Sequence, residues 1–146
     1  MKTKLLLFAL LLSAFTLYSC NDDDDNLKNV DKGLLEAFNE KYPGAKVWEW
    51  EMENGYFVAF FLLDGHEAEA WFDRNHKWVF TEIDLRFNEL PEAVQTGFNT
   101  SEYADWRIDD VDQFDYADAE TRYIIEVEKG NREMKLAYHA DGTLVN

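Results

Sequence analysis

Leu34-Leu35-Glu36-Ala37-Phe38 recurs 56 positions later as Leu90-Pro91-Glu92-Ala93-Val94, and Gly65-His66-Glu67 through Val79 runs parallel to Gly130-Asn131-Arg132 through Val145. The second match pairs Phe72 with Tyr138, Trp78 with Leu144 and Val79 with Val145 at an offset of 66. Self-similarity of this kind means one structural unit used twice. The change of offset places about ten extra residues in the second copy, in the acidic stretch Asp109–Thr121.

The unit is legible in the first copy. Val30, Leu34, Phe38 and Tyr42 recur at helical spacing, with Leu35 and Ala37 widening the stripe, and Pro43-Gly44 ends the helix. Trp48, Trp50 and Met52 then alternate with Glu49, Glu51 and Glu53, the pattern of a half-buried strand with those three in the core. Asn54-Gly55 and Asp64-Gly65 are tight-turn dipeptides, so Tyr56–Leu63 and Glu67–Asp73 follow as hairpin partners. Arg74-Asn75-His76 turns the chain into Trp78–Ile83. The unit is one helix followed by a four-stranded antiparallel meander.

The second copy repeats it: Pro91 opens a helix carrying Val94 and Phe98, although Gly97 weakens it. Strands follow near Trp106–Val111, Arg122–Glu128, Arg132–His139 and Thr143–Val145, with the acidic stretch as an insertion between the first two.

Comparing the copies suggests which sheet face is buried. In the second, Tyr123, Ile125, Val127, Met134, Leu136 and Tyr138 are apolar, while Glu126 and Glu128 must face water. Aligning Gly130 with Gly65 maps the first copy's core onto Val58, Phe60 and Leu62, with Ala68, Ala70 and Phe72. The opposite face then presents Phe57, Ala59, Phe61 and Leu63 beside Trp71 and Val79, rimmed by Glu67, Glu69 and Asp73. The second copy has Ile124, Glu126, Glu128, Lys135, Ala137 and Val145 there, the mixed surface of a solvated sheet. An apolar patch inside a charged rim marks an interaction site. The expected binding residues are therefore Phe57, Phe61, Leu63, Trp71, Val79, Glu67 and Glu69. Two other coverings stand as alternatives: Leu85-Arg86-Phe87 folding over the patch, or a homodimer burying it.

The chain begins with Lys2 and Lys4 before the apolar run Leu5–Leu12, then reaches its single cysteine, Cys20. That order reads as a secretory signal over residues 1–19. Cys20 after the run resembles the lipobox of bacterial lipoproteins, in which the cysteine is acylated. Asn21-Asp22-Asp23-Asp24-Asp25-Asn26 cannot bury four adjacent carboxylates, so residues 20–29 read as a lipidated cysteine and a solvated tether. An acidic run at that position also resembles the surface-export signal of Bacteroidota lipoproteins. The resemblance implies an exported outer-membrane lipoprotein, exposed at the cell surface or else facing the periplasm, with its lipid as the sole membrane contact.

With 14 basic and 30 acidic residues the net charge is −16, which disfavours nucleic acid and suits a cationic partner. A single cysteine excludes an internal disulfide and a cysteine-based zinc site. His66, His76 and His139 all fall in or beside turns, and no Gly-x-Ser-x-Gly is present. No catalytic residue, metal or cofactor is expected. Asp109-Asp110-Val111-Asp112 with Asp115 and Asp118 reads as a charged mobile loop; calcium is the sharper alternative, although the glycine and closing glutamate of an EF-hand are missing.

Tyr42-Pro43-Gly44-Ala45-Lys46-Val47, the Trp strand, the Asp64-Gly65 turn, Trp71-Phe72-Asp73 and Trp78 resemble the PepSY-like family, which includes domains similar to the beta-lactamase-inhibitor protein. Leu90-Pro91-Glu92-Ala93-Val94 and Tyr138-His139-Ala140-Asp141-Gly142 extend the likeness across residues 30–146. It implies an α+β fold of two tandem helix-plus-four-stranded repeats, residues 30–84 and 85–146, forming a curved antiparallel sheet with both helices on one face. It implies no catalysis. The expected function is a protein- or peptide-binding, inhibitor-like module using the open sheet face of the first repeat. A small-ligand or glycan-binding protein using the same aromatics is the alternative.

Overall fold

The computed structural model describes residues 30–145. The signal peptide, Cys20 and the acidic tether expected from the sequence lie outside the described residues. Helix α1 (Lys32–Lys41) starts where Asp31 Oδ1 accepts from the Gly33 N–H at 2.8 Å, and it buries Leu34 and Phe38. Strands β1 (Val47–Glu53), β2 (Tyr56–Leu63), β3 (His66–Phe72) and β4 (Trp78–Asp84) follow. A 3-10 turn over Phe87–Glu89 leads into α2 (Glu92–Asn99), then β5 (Arg107–Tyr116), β6 (Arg122–Lys129) and β7 (Arg132–Tyr138).

The architecture is α+β, as expected: one curved, open antiparallel sheet in the order β1-β2-β3-β4-β5-β6-β7. Pairing of β4 with β5 joins the halves, with Phe80 opposite Tyr116, Thr81 opposite Asp115 and Glu82 opposite Phe114. The eighth strand is not formed among the described residues. Residues 143–145 contribute one isolated bridge, Leu144 to Tyr138. Most of the acidic stretch is strand: Asp109 to Tyr116 lie within β5, where Asp112 to Phe114 pair with β4 on one side and β6 on the other, and only residues 117–121 form the loop into β6.

Two hydrophobic clusters fill the helix side of the sheet. The first gathers Leu34, Phe38, Trp50, Ala59, Phe61, Ala68, Ala70, Phe72 and Ile83. Phe38 is its hub, meeting Phe61 edge-on at 5.0 Å between ring centroids and Trp50 at 5.8 Å. The second gathers Leu90, Val94, Phe98, Val111, Ile125, Val127, Leu136 and Tyr138, and Leu85 packs against both. Leu85 and Phe87 therefore serve the core and do not cover the open face. A polar seam occupies this side where β4 meets β5. Buried Thr81 Oγ1 accepts from Trp78 Nε1 at 2.9 Å and shares a hydrogen bond with the Tyr42 hydroxyl. Beside it, Asp115 accepts from Thr121 Oγ1 at 2.7 Å and from Gln113 Nε2 at 3.1 Å. Each polar group placed there has a partner, which burial demands.

Gly97, unfavourable by helix propensity, is explained by contact. A Cβ at Gly97 would come within 2.2 Å of the Gly142 carbonyl oxygen, and one at Gly142 within 2.1 Å of the Ala93 carbonyl oxygen. The turn before the C-terminus thus seats directly on α2. Gly97→Ala should destabilise the chain by about 2 kcal/mol despite adding a better helix former. Urea unfolding checks this; a gain in stability would show that the turn does not press on the helix.

Candidate functional site

Side chains alternate faces along a strand, so one pairing fixes a whole row. The turn Asp64-Gly65 makes Leu63 the partner of His66, which places Leu62 opposite Glu67, Phe61 opposite Ala68 and Phe57 opposite Phe72. Directly paired residues share a face. Phe57, Ala59, Phe61 and Leu63 therefore lie with Ala68, Ala70 and Phe72 under α1; Phe61 has no exposed surface, and Phe57 and Leu63 pack on the cluster's edge. This corrects the expected face of β2. The open face carries Val58, Phe60 and Leu62 instead, while Trp71, Glu67 and Glu69 lie there as expected. Val79 is half-buried at a bulge, between the pairs Trp71–Phe80 and Phe72–Trp78.

Gly65 and Gly130 occupy different positions in their turns. Asp64 and Gly65 both have positive φ, 51° and 90°, the I′ pattern. In the other hairpin Gly130 (φ 65°) is the first turn residue, since Lys129 pairs with Arg132. Aligning glycine with glycine therefore slips β2 by one residue. The offset of 66 that matches Phe72 to Tyr138 also matches Phe57, Ala59 and Phe61 to the core residues Tyr123, Ile125 and Val127.

With the register set, the open face resolves into cross-strand rows. One row runs Val58, Trp71, Phe80, Tyr116. The next runs Glu49, Phe60, Glu69, Glu82, Phe114, Arg122. Their rings form a continuous ladder over four strands. Tyr56 meets Trp71 at 6.1 Å, Trp71 stacks on Phe80 at 5.1 Å, and Phe80 reaches Phe114 and Tyr116, each at 5.9 Å. Trp71 Nε1 is buried, with no hydrogen-bond partner among the described residues. Phe114 and Tyr116 are hidden in the sequence by the acidity around them, and Phe80 by the bulge at Val79, since expecting Val79 on the open face turns its neighbour Phe80 inward. The alternation Asp110, Asp112, Phe114, Tyr116 against Val111, Gln113, Asp115 was the available signal.

Trp48 is a further correction. A register shift between Val47 and Glu49 breaks the alternation of β1, so Trp50 enters the core and Trp48 stays 54% exposed. Met52, 45% exposed, is at most peripheral to the core. Trp48 and Phe60 line a cavity of about 70 Å³ together with six carboxylates, Glu67, Glu69, Glu82, Asp84, Asp110 and Asp112. Asp112 is almost fully buried. Burial, followed by the charges of Asp112 and Glu69, pushes the Glu82 carboxyl up to about 8, against a smaller opposing pull from Lys135. Carboxylate oxygens of Asp84, Asp110 and Asp112 lie within 4.8 Å of one another, the arrangement nearest to a cation-binding set.

The histidines are not brought together. His66 Nδ1 lies 3.1 Å from the Asp84 carbonyl oxygen, His76 lies 3.7 Å from Asp31, and His139 lies 3.3 Å from Glu120. Among the described residues no helix is long and apolar enough to cross a membrane.

The family model described as "beta-lactamase-inhibitor-like, PepSY-like" matches residues 54–146. A BLIP-like protein from Bacteroides fragilis is 35% identical with a TM-score of 0.79, covering 86% of this chain and 89% of that one. A DUF2874 family protein from Bacteroides uniformis is 25% identical with a TM-score of 0.75, covering 80% and 87%. A protein from Bacteroides eggerthii described as periplasmic shares the fold at 24% identity and a TM-score of 0.73, covering 81% and 87%. No curated protein matches the chain. The chain belongs to the PepSY-like family.

Glu82 gives the site a pH signature. Its folded-state value, about 8, lies above the ordinary 4.5, so the folded chain holds a proton that the unfolded chain releases. The resulting stability is fully present below about 4.5 and is lost as pH rises through about 8. The melting temperature should therefore fall between pH 5 and 9, a change of about a few kcal/mol at most. Glu82→Gln should flatten that fall and exceed the parent in stability at pH 9. Parallel slopes for the two proteins would show that Glu82 is not held protonated.

Proposed function

We propose that the chain is a protein- or peptide-binding module engaging its partner through the aromatic ladder of the open sheet face. The carrying observation is the unbroken run Tyr56, Trp71, Phe80, Phe114, Tyr116, flanked by Phe60 and the 55% exposed Leu62. Clustered aromatics beside a charged rim have the anatomy of a binding hot spot. Glu67 and Glu69 keep their expected rim role, and Trp71 its expected anchor role. Phe57, Phe61 and Leu63 are withdrawn from the site. The likeness to a BLIP-like protein favours a protein partner and an inhibitor-like mode. The extended ladder, beside a cavity of about 70 Å³, fits a peptide better than a glycan or small ligand.

The proposal includes the organisation expected from the sequence: a signal peptide over 1–19, lipidated Cys20 and tether over 20–29, and tandem repeats over 30–84 and 85–146. The protein is then an exported outer-membrane lipoprotein, and the relative described as periplasmic agrees with export.

The test is a set of single variants. Trp71→Ala and Leu62→Glu should keep the folded circular-dichroism spectrum and lose capture of a partner from envelope extracts. Phe61→Ala should cost about 3–5 kcal/mol, as loss of a buried ring does. If Phe61→Ala left stability intact while Trp71→Ala unfolded the chain, the two faces would be reversed and the proposal wrong.

A further inference from the structure

We infer that the partner is basic and inserts a lysine or arginine side chain into the cavity lined by Trp48, Phe60, the carboxylates of Glu69 and Asp112 and the carboxyl of Glu82. This rests on the open-face reading above and specifies the chemistry of its occupant.

Three observations lead there. The first is size. A water takes about 30 Å³ in the liquid, so a cavity of about 70 Å³ is of the size of an ammonium or guanidinium head with its last methylene. The second is the lining, which joins two aromatic side chains to six carboxylates. Apolar walls suit the stem of a long basic side chain, and ring faces attract its charged head. A hydrated divalent ion would use the oxygens and gain nothing from Trp48 and Phe60. The third is charge complementarity on the whole face. A second copy would bring Glu67 and Glu69 against the same acidic groups, and like charges in apposition oppose docking. A basic partner brings the opposite sign, and its apolar neighbours reach the ladder, because Glu69 and Glu82 share a cross-strand row with Phe60 and Phe114.

The Glu82 environment supports this. Glu69 on β3, Asp110 and Asp112 on β5, and Lys135 on β7 all act on Glu82, and Asp84 shares the cavity with it. The net field there favours an added positive charge.

The experiment pans a random dodecapeptide phage library against the chain from residue 21 onward, which holds both cores. Enriched peptides should carry lysine or arginine next to an apolar residue. Replacing that base with norleucine in a synthetic copy should weaken binding at least tenfold by fluorescence titration. Glu67→Lys, a change at an exposed rim position, should weaken it equally, and 1 M salt should reduce it. Trp71→Ala should weaken binding too. Peptides that lose affinity on Trp71→Ala, yet lack a base or tolerate norleucine, would overturn the basic assignment and leave the open-face reading standing. Peptides indifferent to both Trp71→Ala and Glu67→Lys, or a library yielding no binder, would overturn both.

Discussion

The antiparallel pairing of β4 with β5 is the constraint on which the rest of the molecule depends. It merges two helix-and-strand units into one sheet and so fixes both helices on the same side. The helix-side residues at this junction cannot all be apolar, because Asp115 faces Thr81 across the pairing. The seam is satisfied instead by Tyr42, Trp78, Thr81, Gln113 and Thr121, each bonded to a neighbour. On the opposite face the same pairing sets Phe80 beside Phe114 and Tyr116, and the aromatic ladder crosses the boundary between the units. The helix side, the seam and the candidate site follow from one register.

Much of this was legible in the residues. Both helices and six strand positions follow from periodicity and turn dipeptides, because those signals are local. Sidedness was harder. Val58, Phe60 and Leu62 are apolar, and so are Phe57, Ala59, Phe61 and Leu63, so composition cannot say which set is buried. A strand apolar on both faces takes its orientation from its neighbours, and here from the two-residue turn Asp64-Gly65. β3 was unambiguous, since Glu67 and Glu69 alternate with Ala68 and Ala70. Trp48 was hidden by a bulge and β5 by its acidity. An acidic strand is tolerable here because Asp110 and Asp112 point away from the helices, in rows that reach Glu126 and Ile124.

The corrected face is divided by chemistry. The row through Trp71 and Phe80 is aromatic; the region around Glu67, Asp84 and Asp112 is acidic; Phe60, Glu69, Glu82 and Phe114 mix both kinds between them. In the second half Lys135 pairs with Glu126 and Arg107 with Glu128, the ordinary surface of a solvated sheet. Membership of a family described as beta-lactamase-inhibitor-like and a surface organised for contact point in the same direction. Buried Trp71 Nε1 and the desolvated Glu82 carboxyl, pushed up to about 8, each cost stability that a solvated sheet would not need to give up.

Proton-proton contacts measured by nuclear Overhauser spectroscopy on the isotope-labelled chain test the register most directly. The account predicts contacts from the Phe80 ring to Phe114 and Tyr116, and from Phe61 to Phe38, with none between Phe60 and Phe38. Contacts from Phe60 or Phe80 to Phe38, with Phe61 lacking them, would contradict it.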